Sequence, residues 1–76
     1  MDNNKVLKKI TIAMNLRNED AREIFHIGGH ELSISQTGAF LVSETNKNFK
    51  PLSDDLLTAF MDGLITYSRG AKNAPN

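Results

Sequence analysis

Between Asp54 and Arg69, the residues Leu56, Leu57, Phe60, Met61, Leu64 and Tyr67 return at intervals of three and four, the spacing of one helical face. Ile65 flanks this stripe on one side, and Ala59 and Gly63, four apart, flank it on the other. Together these positions cover more than half of the helix circumference. An ordinary surface helix needs an apolar arc of only roughly 100°. A helix this broadly apolar is central to its own domain or shared with a partner. Gly63 costs about 1 kcal/mol against alanine in a helix interior, which points to close packing there.

Three further helices precede it, and nothing alternates at period two over a useful length. The spacing predicts a first helix over Lys5 to Asn15, capped by Asn3 or Asn4, with Val6, Leu7, Ile10, Ala13 and Met14 on its inner face. A second is expected over Glu19 to Ile27, capped by Asn18, with Ala21, Ile24 and Phe25 inward and Gly28-Gly29 as its stop. Ser33 and Gln36 form an S-x-x-Q capping box at the head of a third, over Ile34 to Val42, with Thr37, Phe40 and Leu41 inward. The polar stretch from Ser43 to Pro51 reads as a loop tied down by Phe49. Ser53 caps the fourth helix and Gly70 ends it. The fold expected is all-α, a single small four-helix domain over residues 4–70, its second and third helices forming a helix-turn-helix-like corner. Residues 71–76 offer no apolar anchor and are expected to be disordered.

Composition narrows the functional classes. Leu, Ile, Val and Phe make 20 of 76 residues, enough for a core. There is no cysteine, so disulfides, thiolate metal sites and cysteine nucleophiles are excluded. The longest apolar run, Ala39-Phe40-Leu41-Val42, is far too short to span a bilayer. Met1-Asp2-Asn3-Asn4 lacks the basic-then-apolar pattern of a signal peptide. A cytoplasmic protein with no membrane association is expected.

The net charge is zero but unevenly spread. Residues 1–17 set Lys5, Lys8, Lys9 and Arg17 against Asp2, and residues 18–33 set Glu19, Asp20, Glu23 and Glu31 against Arg22. The simplest reading lets the basic segment face the acidic one. On the first helix Lys5, Lys8 and Lys9 share the outer face with Ile12. That isoleucine is either a lone exposed apolar residue, which is common, or the centre of a contact with an acidic partner.

Catalytic and metal chemistry find little support. His26 and His30 are four apart, but Gly28 and Gly29 break the helix between them and no third ligand is evident. No metal site and no cofactor is expected. The glycine pair follows no strand and precedes no Gly-Lys-Ser/Thr, so it is not a phosphate loop. No nucleophile–base pair can be located, and so short a helical chain is expected to lack a sizeable pocket. An enzyme is not expected.

Several short motifs resemble the YehS-like bacterial family, a domain of unknown function. They are Ala13-Met14-Asn15-Leu16, Glu23-Ile24-Phe25 leading to Gly28-Gly29, Glu31-Leu32-Ser33, Ala39-Phe40-Leu41, Pro51-Leu52-Ser53, and Asp62-Gly63-Leu64-Ile65 closing with Arg69-Gly70. The resemblance covers roughly Asn4 to Gly70 and implies one copy of a unit that the family usually carries twice in tandem. Where the family has a tryptophan followed by basic residues, this chain has Phe40, Val42 and Ser43.

A looser resemblance is to lambda-repressor-like helix-turn-helix domains, with the third helix in the recognition role. Ser35, Gln36, Ala39 and Ser43 would then face outward, Gln36 could read an adenine edge, and Lys47 and Lys50 would supply phosphate contacts. The third helix itself has no lysine or arginine, and the chain lacks the basic excess of a dedicated nucleic-acid binder. The function expected is therefore a non-catalytic interaction module, a homodimer or a module docking on a protein partner, with DNA binding as the alternative. Ala59, Gly63, Leu64, Ile65, Tyr67 and Ile12 are the candidate protein interface. Ser35, Gln36, Lys47 and Lys50 are the candidate nucleic-acid contacts.

Overall fold

The first helix, α1 (Asn3–Ala13), starts where the Asp2 carboxylate accepts the Lys5 amide hydrogen at 2.9 Å. The computed structural model describes residues 2–71, so the tail residues 72–76 lie outside the described part. Asp2 is thus the cap in place of Asn3 or Asn4, whose side chains reach across the fold instead. The helix ends two residues before the expected Asn15. Asn15 takes a left-handed φ of 55°, which asparagine tolerates, and the Leu16 amide closes onto the Thr11 carbonyl at 2.8 Å. This early exit leaves Ala13 and Met14 exposed rather than inward, while Leu7 and Thr11 are buried.

Helix α2 (Asn18–Ile27) begins one residue earlier than expected, with Arg17 at the cap position. Asp20 reaches back to accept the Arg17 amide at 2.9 Å, so Asn18 is not the cap. Gly28 and Gly29 do end this helix. Gly29 adopts the left-handed conformation at φ 98°, and the His30 amide returns to the Phe25 carbonyl at 2.9 Å.

Helix α3 (Ile34–Ala39) carries the capping box in full. Ser33 Oγ accepts the Gln36 amide at 3.0 Å, and Gln36 Oε1 accepts the Ser33 amide at 2.8 Å. The helix stops at Ala39 rather than Val42. The Phe40 and Leu41 amides bond to the Thr37 and Gly38 carbonyls three residues back, which tightens the last turn, and the Lys50 amide donates to the Ala39 carbonyl at 3.0 Å. Helix α4 (Asp54–Thr66) is capped by Ser53, whose hydroxyl accepts the Leu56 amide at 3.1 Å. Beyond Thr66 the chain loosens into a π-helical turn over Tyr67–Ala71, so α4 ends short of Arg69.

The fold is all-α, with four α-helices and no strand among the described residues. Its core is Leu7, Ala21, Ile24, Phe25, Phe40, Leu52 and Phe60. The Phe25 ring is the hub, tilted against Phe60 at 5.0 Å and Phe40 at 6.2 Å between centroids, geometries that favour aromatic pairs. Helices α2 and α4 approach until a Cβ on Gly28 would lie 2.0 Å from the Ala59 carbonyl oxygen. Helix α1 is clasped to the loop before α4 by two asparagines. Asn4 donates to the carbonyls of Phe40 and Lys50 and accepts the Leu52 amide at 2.9 Å. Asn3 donates to the Leu52 carbonyl and the Asp54 carboxylate.

Candidate functional site

The small residues of α4 are used inside the chain. Ala59 is buried, and a Cβ on Gly63 would meet the Ile24 carbonyl oxygen at 2.1 Å. The expectation that Ala59 and Gly63 face another chain is thereby corrected, because both are the seat of α2. Leu64 and Tyr67 are half-buried against the core. The rest of the broad apolar arc emerges on the opposite side of α4, where Met61 is 41% and Ile65 54% exposed. Met61, expected inward, therefore belongs to the outer face together with Ile65, Asp54, Asp55, Thr58 and Asp62, all of them exposed.

Helix α1 presents a second face. Ile12 is 72% exposed and sits among exposed Lys5, Lys8 and Lys9. The acidic segment does not neutralise them. Among the described residues the one ion pair is between His26 Nδ1 and Glu31 Oε1. Among the described residues no side chain of the basic segment forms an ion pair with one of the acidic segment.

A groove of about 800 Å³ opens between α3, the loop after it and the start of α4. Leu32, Ala39, Phe40, Val42 and Leu56 supply apolar lining, and Ser35, Gln36, Asn48, Lys50 and Ser53 supply polar groups. Its size departs from the expectation of no sizeable pocket. Helical period alone does not reveal it, because the lining comes from α3, the loop and the start of α4 together. Three of the candidate nucleic-acid contacts, Ser35, Gln36 and Lys50, meet here, whereas Lys47 is exposed elsewhere and does not line the groove. Gln36 is partly committed, since its Oε1 serves the cap of α3. Among the described residues no group of three histidine or acidic side chains is placed to hold a metal ion. No described helix is long and apolar enough to cross a membrane.

A family profile described as "Protein of unknown function (DUF1456)" matches residues 3–70. The chain belongs to that family. It is also similar to the "Uncharacterized protein YehS" of Escherichia coli (strain K12), at 33% identity over 70 residues. That alignment covers 92% of this chain and 45% of the relative, so the chain spans about half the length of the relative it matches. No solved structure matches. The matched stretch includes both glycines at the α2–α4 contact, the Ser33 box and the Asn4 clasp.

Proposed function

We propose that the chain is a non-catalytic helical interaction module, working in the cytoplasm, that pairs with a second copy of its own unit. The observation that carries this reading is the outer face of α4. Met61 and Ile65 lie one turn apart there, exposed, on a helix whose core-facing needs are already met by Phe60, Ala59 and Gly63. Met61 and Ile65 form an adjacent exposed apolar pair bordered by Asp54, Asp55 and Asp62, the apolar-in-polar pattern that larger contact surfaces also show. A relative about twice as long supports a second unit as the natural cover. Identical chains most often achieve this by closed pairing. Sedimentation of the purified chain across a dilution series tests it. A mass near twice 8.4 kDa that falls on dilution is expected, and a constant 8.4 kDa at high micromolar concentration rejects it.

DNA binding is the second reading, favoured by one observation. Ser35, Gln36 and Lys50 converge on a single groove beside α3. Retention on heparin that falls steeply with salt supports it, because phosphate contacts release counterions. Passage through heparin at low salt rejects it.

A further inference from the structure

The outer faces of α1 and α4 match each other in charge and in shape of pattern. On α1, successive residues turn by about 100°, so Lys5, Lys8, Lys9 and Ile12 fall within an arc of roughly 100° with Ile12 at its centre. On α4, Asp54, Asp55, Met61, Asp62 and Ile65 fall within an arc of roughly 120°. The first face carries three lysines in the two turns before one exposed isoleucine, and the second carries three aspartates beside an exposed methionine and isoleucine. None of the three lysines, nor Asp55 or Asp62, makes a side-chain hydrogen bond or ion pair among the described residues. Asp54 alone has a partner, the Asn3 amide at 2.7 Å.

Resting on the self-pairing reading, we infer that the α1 face of one copy docks on the α4 face of a second copy, with Ile12 set between Met61 and Ile65. Two like faces brought together would place three lysines on three lysines, or three aspartates on three aspartates, and such juxtapositions are strongly disfavoured. The opposite pairing brings three positive charges toward three negative ones beside an apolar contact. Desolvation of Ile12, Met61 and Ile65 supplies attraction, and the flanking charges fix register and partner choice. Each copy carries both faces, so the contact can form reciprocally in a two-fold pair or once between two units of a tandem chain.

A charge-swap experiment tests the assignment. One variant carries Lys8→Glu and Lys9→Glu, and a second carries Asp55→Lys and Asp62→Lys. All four side chains are exposed and free of side-chain hydrogen bonds among the described residues, so both variants should keep the helical fold, which circular dichroism checks. Each variant alone should associate roughly tenfold more weakly than the unmodified chain, because its α1 and α4 faces now carry the same sign. An equimolar mixture should associate again, since each variant then offers the complement of the other. Ile12→Ser should also weaken association without lowering the melting temperature. Variants that associate like the unmodified chain, or a mixture that fails to recover, overturn the α1–α4 assignment and leave self-pairing intact. An unmodified chain that stays at 8.4 kDa overturns both.

Discussion

Gly63 sits directly beneath Ile24, so close that a Cβ on the glycine would lie 2.1 Å from the isoleucine carbonyl oxygen and 3.0 Å from the Gly28 nitrogen. Gly28 makes the reciprocal approach to Ala59. The two helices thus meet backbone to backbone, and the atoms in the way cannot swing aside as a side-chain end would. Gly63→Ala should destabilise the fold by at least about 1–3 kcal/mol, the usual range for overpacking. For a domain of this size each kcal/mol lowers the melting temperature by roughly 4–8 °C. Thermal denaturation followed by circular dichroism measures the effect, and an unchanged midpoint would mean that α2 and α4 are farther apart than described.

Phe60→Ala removes the ring that packs at 5.0 Å against Phe25. Both side chains are fully buried, in keeping with their expected role as core anchors. The substitution should cost about 3–5 kcal/mol, a large share of the stability of a small domain. Urea denaturation should show the loss in the midpoint, and a midpoint equal to that of the unmodified chain would place the core elsewhere.

Asn4→Ala would strip one amide donor pair from the Phe40 and Lys50 carbonyls and leave the Leu52 amide without its acceptor. The groups are part-buried or exposed, so water replaces some of these bonds. A cost of about 1–3 kcal/mol is expected for a hydrogen-bonded network of this kind. Hydrogen exchange should show the Leu52 amide losing protection before the amides of α2 do.

Ser33→Ala deletes the hydroxyl that accepts the Gln36 amide. It should cost about 1 kcal/mol and loosen the short α3. Ser33→Asp, which keeps an acceptor at the cap, should restore most of the loss in the same thermal measurement.

Much of this was legible in the sequence because it depends on neighbours along the chain. The Ser33–Gln36 box, the Ser53 cap and the glycine stop after α2 are local devices, and the inward positions of Ala21, Ile24, Phe25 and Phe60 follow from helical period alone. What misled were residues whose chemistry suits two roles. Asn3 and Asn4 have the amides of a good cap, but only the folded chain shows those amides pointing at Leu52 and Phe40. Ala59 and Gly63 lie at the edge of a wide apolar arc, where period does not distinguish a neighbour within the chain from one outside it. The Lys50 amide that takes up the Ala39 carbonyl at the end of α3 lies eleven residues farther along the chain. The groove was hidden because its walls form only when α3, the loop after it and the start of α4 fold back on one another.

The Asn4 clasp has a consequence for how this chain can vary. Asn4 grips both Phe40 and Lys50, and Lys50 grips Ala39, so the loop between them is pinched shut at its base by a residue from outside it. Whatever happens at the tip, around Thr45 and Asn46, is insulated from the packing of the helices. Closing a longer loop costs little, with each doubling of length adding only about 0.6 kcal/mol. The tip is therefore a place where residues can be inserted, removed or exchanged while the scaffold beneath stays the same, and where a foreign segment could be spliced in to give the module a new binding edge.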